Sequence, residues 1–298
     1  MTVRSAQMLF AAVIATRATA YLFSTLLLQE MGPFMLMGLR FLLAFAILFL
    51  VFFRRMLKLN RRVVWQGAVL GLIFFIVMTS ELNALTLTSS SKVSFLENLA
   101  LVMVPLFAAL AARRAPVLKD MLAAVVAIVG VGFLTLVGTQ AGFDWGEGLA
   151  LIAAVFYALV ILATDRFSSE SDGIALGVLQ MGFMGLFGAV AAAFTEVPAL
   201  LQTPVEWGYL AVLVLVCSGF GFTFQPVAQR YLPPERASIL LALNPFIAGL
   251  LGVVVLGEPF GPQTLAGMAL IVCAIVISSL NVEMPLRLRA HGGKRSDS

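Results

Sequence analysis

Four charged residues stand inside long apolar stretches of this 298-residue chain: Arg17, Arg40, Glu81 and Glu97. At the centre of a membrane helix each such charge costs about 2.5–3.5 kcal/mol, so four left uncompensated would approach about 10 kcal/mol. They must pair, protonate or face water. All four lie in the first half, two of each sign, so neutralising contacts are open to them. At a rise of about 1.5 Å per residue, Arg40, Glu81 and Glu97 come out near one level, with Arg17 nearer the middle. An arginine and carboxylates sharing a cavity could hold the carboxylate and the ammonium of one zwitterion. Glu81 or Glu97 could also carry a proton.

Helical spacing groups these residues with others. Arg17, Tyr21 and Ser24 share a face, as do Ser94, Glu97 and Asn98, and as do Ser218, Phe222, Gln225 and Gln229. An offset near 140 residues pairs Arg17 with Tyr157, Arg40 with Gln180 and Glu81 with Gln225. The candidate binding or coupling residues are therefore Arg17, Tyr21, Glu81, Ser94, Glu97, Asn98, Tyr157, Gln180, Phe222, Gln225, Gln229 and Asn244. Arg40, Pro105, Pro245 and Glu258 are assigned structural or ion-pair roles. Asn98 and Asn244 have a second reading, in which they satisfy backbone opened by Pro105 and Pro245. Lys92 is read as interfacial, and Asp165 as a solvated partner of Arg166.

The elements that must position these groups are membrane helices. The chain is 61% hydrophobic and only 11% charged, with a mean hydropathy of +1.03. A soluble protein carries about 25% charged residues. Apolar windows fall at 6–28, 34–53, 64–87, 92–112, 118–137, 147–166, 174–195, 206–229, 237–256 and 264–282. Each is long enough for about 30 Å of hydrocarbon. Arg4, the run Met8 to Ile14 and Ala18-Thr19-Ala20 imitate a secretory signal, but the apolar run continues through Leu28, so this segment is expected to span. Of the 19 Lys and Arg, 16 fall in alternate connections or the two ends, whereas the other connections hold only Lys92 beside several acids. Basic loops stay in the cytoplasm, so both termini are expected there.

The same composition excludes several classes. The basic residues do not gather on one face, so nucleic acid is not an expected partner. Cys217 and Cys273 lie in apolar runs and read as buried small side chains. The single histidine, His291, sits in the polar tail, and no spacing fits a metal. No His-Glu-x-x-His, Gly-x-Ser-x-Gly or phosphate-binding loop occurs, so the chain is read as neither an enzyme nor an ATP-driven pump, with no cofactor. GAVLG (Gly67 to Gly71) and GIALG (Gly173 to Gly177) fit a small-residue packing motif, read as packing within a monomer or a weak homodimer.

Pro105-Leu106-Phe107-Ala108 lines up with Pro245-Phe246-Ile247-Ala248. Five helices per half is an odd number, so the second half would enter the membrane from the opposite side. Such inverted-topology repeats are common in secondary transporters. The expected fold is all-α: ten transmembrane helices as two inverted five-helix repeats, 1–140 and 141–284, with a basic cytoplasmic tail at 285–298.

The stretch Ala84 to Leu110, ALTLTSSSKVSFLENLALVMVPLFAAL, resembles the third-to-fourth helix segment of EamA-type members of the drug/metabolite transporter superfamily. Phe224 to Val272, with its Leu-Gly-Glu-Pro turn at Leu256 to Pro259, resembles the second-half counterpart. Gly32-Pro33 followed by Leu39-Arg40-Phe41 fits the family's second helix. The first half departs from the pattern at Ala112 to Pro116, and Ala15 to Ala18 replaces a common Trp-Gly. The resemblance implies a small-molecule transporter of a bacterial inner membrane, usually an exporter. With the buried charges it points to amino acids or related zwitterions. A flippase, or a carrier of lipid-linked or cationic, drug-like compounds, is the alternative, and an intramembrane enzyme a remote one.

Overall fold

In the computed structural model the described residues are 3–57, 59–135, 144–168, 171–199, 201–229, 231, 240–241, 243–259 and 261–279. They form helices throughout: α1 (Val3–Leu27), α2 (Pro33–Val51), a short α3 (Phe53–Met56), α4 (Arg61–Leu87), α5 (Ser90–Glu97), α6 (Ala100–Ala111), α7 (Leu118–Thr135), α8 (Trp145–Ser168) and α9 (Gly173–Thr195). The second half continues with α10 (Pro204–Ala211), a π-helical segment (Val212–Phe220), α11 (Gly221–Gln229), α12 (Leu243–Leu256) and α13 (Pro262–Ser279). Among the described residues seven stretches are long and apolar enough to cross a membrane, and two shorter apolar helices follow. Side chains such as Leu50, Ile128, Phe194 and Val254 stand fully outward. So much apolar surface suits hydrocarbon rather than water. The protein is an integral membrane protein.

Two features of the windows could not be read from composition. The fourth is broken at Asn98 and Leu99, between α5 and α6. The eighth begins as α10, widens into the π segment and closes again as α11.

Helix pairs close where side chains are small. On α2 and α9, a Cβ at Gly185 would lie 2.7 Å from the Leu42 amide nitrogen, and one at Gly38 would lie 2.8 Å from that of Ala189. The two helices run antiparallel with their backbones nearly touching, as membrane helices do when small residues face each other. Gly130 on α7 meets the Gly267 carbonyl and Ile271 on α13 in the same way. From the GAVLG motif, Gly67 and Gly71 pack on Leu179, Gln180 and Phe183 of α9. The GIALG expectation is corrected at Gly177, where a Cβ would meet nothing within 4 Å.

Helix starts receive acceptors from side chains. Asn60 caps α4, Ser89 caps α5 and Asp172 caps α9, while Thr203 and Glu206 form a capping box on α10. Distant carboxylates serve as well, at α2, which has no local side-chain cap, and at α5 beside Ser89. Glu196 accepts from the amides of Phe34 and Met35 at the start of α2, at 2.9 and 2.8 Å. Glu258 accepts from the amides of Ser90 and Ser91 and from both hydroxyls at the start of α5. Gly257, at φ +67°, makes the left-handed turn that aims Glu258. Glu258 thus joins the turn before α13 to the start of α5.

The glycine contacts generate a paired test. Gly185→Val should cost about 1–3 kcal/mol by forcing α2 and α9 apart. Gly177→Val, with the same change of helix propensity, should leave stability near wild type. Thermal unfolding of both variants in detergent checks the contrast.

Candidate functional site

Arg17, Tyr21, Glu81 and Glu97 converge between α1, α4 and α5, and α8 and α11 close the group. Tyr21 and both carboxylates are almost completely buried. The Tyr21 hydroxyl donates to Glu97 Oε2 at 3.0 Å. Glu81, on α4, is buried in the same group. Arg17 Nη2 donates to the Tyr157 hydroxyl at 3.0 Å, and its guanidinium lies 4.7 Å from the Phe222 ring centre. Phe222 in turn packs edge-on against Phe41 and Phe74, and Phe74 meets Tyr157. Gly221 makes room for the stem of Arg17, since a Cβ there would lie 2.8 Å from Arg17 Cγ.

Arg40 sits beside this group but in its own hydroxyl-lined seat. Its Nε donates to Ser218 Oγ at 2.8 Å, and Nη1 makes a longer 3.5 Å contact with Ser24 Oγ. The ion-pair expectation is corrected: no carboxylate oxygen among the described residues lies within salt-bridge range of Arg40. Two serines provide the hydrogen bonds instead, and Glu97 on α5 accepts from Tyr21. Ser218 belongs to the π segment. A π turn is a frequent mark of functional sites, and here it brings Cys217 to 3.4 Å from Thr19 Oγ1 and Ser218 to Arg40.

The remaining candidates divide. Asn244 Nδ2 donates to Asn98 Oδ1 at 3.3 Å, joining α12 to the break between α5 and α6. Asn98 Nδ2 also donates to the Ser94 carbonyl at 2.7 Å. That carbonyl, on α5, also accepts from the Asn98 amide at 3.2 Å, so this bond does not serve the backbone freed by Pro105. Ser94 is fully buried and its hydroxyl donates to the Ser91 carbonyl, so it is a structural side chain here. Gln180 is buried on α9 with Oε1 lacking a partner, and no described bond links it to the charged group. Pro105 lies inside α6, and Pro245 is buried near the start of α12. The side chains of Gln225 and Gln229 lie outside the described residues.

Sequence reasoning passed over three contributors. Phe41 and Phe74 read as ordinary apolar content. The site role of the π segment has no periodic signal, because a one-residue surplus leaves composition unchanged. The third is a tie between the first turns of α5 and α8. Lys92, expected at the interface, donates to Glu147 Oε1 at 2.6 Å, and Glu147 has no exposed surface. The basic head is turned inward because a fully buried carboxylate at the start of α8 needs a cation.

The match of a family model now joins the geometry. The model described as "EamA-like transporter family" matches residues 4–136 and again 144–280. The chain belongs to the EamA-like transporter family. An uncharacterized transporter of Archaeoglobus fulgidus is 27% identical over 86% of this chain and 79% of its own length. The threonine/homoserine exporter RhtA of Escherichia coli K12 is 27% identical over 62% of each chain, and that of Salmonella typhimurium LT2 is 28% identical over 61% of this chain and 60% of its own. This chain thus spans less than two thirds of the length of those exporters. One crystal structure shares the fold at a TM-score of 0.66 and 20% identity, over 93% of this chain and 97% of its own.

The Lys92–Glu147 pair can be tested directly. Removing one partner of a buried pair costs about 3–5 kcal/mol, whereas replacing both with apolar side chains is often near neutral. Lys92→Met should therefore destabilise strongly, and Lys92→Met with Glu147→Met should recover most of the loss, as read by thermal unfolding in lipid nanodiscs.

Proposed function

We propose that this EamA-like transporter is a secondary transporter that exports small zwitterionic metabolites, amino acids or close relatives, across a bacterial inner membrane. The observation that carries this reading is the buried cluster of Arg17, Tyr157, Tyr21, Glu97 and Glu81. It holds charges of both signs, and neutral phenols contact the two charged heads. A substrate carboxylate can take the place of the Tyr157 oxygen on Arg17. A substrate ammonium can take the place of the Tyr21 hydroxyl on Glu97. The exchange keeps every buried charge solvated, which is what a site for a zwitterion requires. A proton carried by Glu81 or Glu97 would be the coupling ion.

Ten spans in two inverted halves are the architecture we infer, with 1–140 and 141–284 as the repeats. Arg17 and Tyr157 are 140 positions apart and hydrogen-bonded, so equivalent places on α1 and α8 face each other. The pairing of α2 with α9 and of α7 with α13 has the same character. Arg55 meets Asp172 and Ser171 meets Gln66 at one end of the helices, while Lys92 meets Glu147 and Ser90 meets Glu258 at the other. These groupings agree with the alternation of basic connections and support cytoplasmic termini. Transport would then rock one half against the other around the cluster.

A second reading rests on a different feature. An apolar groove of about 270 Å³ opens between α2 and the π segment, lined by Ala44, Leu48, Gly219 and Thr223 among others. It lies next to the Arg40–Ser218 contact and would suit an amphipathic or cationic, drug-like substrate entering from the bilayer.

Counterflow in proteoliposomes separates the two. Labelled threonine should exchange, and Arg17→Ala or Glu97→Gln should slow it about tenfold or more, since a hydrogen bond to a charged group contributes about 1.5–3 kcal/mol. Exchange of labelled choline without amino acids would favour the second reading. Amino-acid exchange indifferent to both substitutions would sink the zwitterion site.

A further inference from the structure

A cavity of about 520 Å³ lies between the start of α4 and the end of α8, away from the charged cluster. Arg62, Trp65 and Gln66 line it from α4, at the i, i+3, i+4 spacing of one helix face. Leu162, Ala163, Arg166 and Phe167 line it from α8. Two guanidiniums thus stand at the rim, and the apolar Leu162 and Ala163 lie about one turn deeper. Trp65 is largely exposed beside them, an amphipathic ring at the level where such rings mark the edge of hydrocarbon. Gln66 is held in place because its Oε1 accepts from the Ser171 hydroxyl at 2.6 Å.

We propose that this cavity is a binding site for an anionic phospholipid, with the headgroup phosphate between Arg62 and Arg166 and the upper acyl chain against Leu162 and Ala163. Basic pockets between membrane helices recognise phosphate headgroups in this way. Each guanidinium offers five donors, so contacts that Arg62 and Arg166 make elsewhere do not exhaust them. The carboxylate of Asp165, next to Arg166 in sequence, is not part of the lining. The apolar wall below the arginines selects a lipid over a free phosphate ester, which would leave that wall uncovered. On the topology inferred above this is the inner leaflet, where anionic lipids gather.

The test uses the full chain reconstituted in equal phosphatidylglycerol and phosphatidylcholine, then analysed in detergent by native mass spectrometry. Wild type should retain phosphatidylglycerol in preference to phosphatidylcholine. Arg62→Gln and Arg166→Gln should each lower retention about fivefold and the double variant about 20-fold, the scale of basic residues at an anionic surface. Arg62→Lys with Arg166→Lys should retain most of the lipid, and Arg113→Gln with Arg114→Gln, an equal loss of charge elsewhere, should change little. If the double Gln variant does not fold, the single variants carry the comparison. Equal retention of the two lipids, equal loss in the Arg113/Arg114 variant, or displacement by millimolar glycerol 1-phosphate would overturn the proposal.

Discussion

Hydrocarbon donates no hydrogen bonds, and every polar group this chain buries must find its partner within the protein. That constraint organises the molecule more than any single apolar contact. It explains why Tyr21 points at Glu97, why Arg17 reaches Tyr157 and why Arg40 lies between Ser24 and Ser218. It also explains the helix starts, where Glu196 and Glu258 accept from amides far away in sequence. The apolar surface only has to match the lipid; the polar interior has to be specified residue by residue.

Neutral hydroxyls, not countercharges, contact Arg17, Glu97 and Arg40. A direct arginine–carboxylate pair in low dielectric is hard to open. A charge held by a phenol or a serine can change partners, because the group it gives up is itself able to turn to another acceptor or donor. The π segment contributes to the same end. Its wide turn leaves Ser218 directed at Arg40 and Phe222, just beyond, under Arg17. Lys92 and Glu147, by contrast, make a direct ion pair between the first turns of α5 and α8.

Much of this was legible in the sequence. The membrane class, the helical windows and the four costly charges follow from composition and length alone, because transfer to lipid penalises charge so heavily. The offset pairing of Arg17 with Tyr157 was also legible, since polar residues at equivalent places in both halves had no other simple reason to be there. What failed was local. Arg40 looked like an ion-pair partner because a charge suggests a countercharge, yet serines from two other helices, Ser24 and Ser218, serve it. Asn98 was linked to Pro105 by proximity, but the chain breaks before the proline. Lys92, read as interfacial, pairs at the first turn of its helix with Glu147, 55 positions away, a partner the sequence did not name. Neither a one-residue widening of a helix nor a long-range pair leaves a trace in hydropathy.

The long-range caps bear on the order in which the molecule can be completed. The start of α2 is capped by a residue 162 positions later, and the start of α5 by one 168 positions later. While the chain is being synthesised, the first half therefore exists for a long interval with these amides unserved. In that interval interfacial water must stand in for Glu196 and Glu258. The early helices are thus held near the surface at those ends until the later connections arrive. The seating of those helix starts thus waits on translation of the second half of the chain.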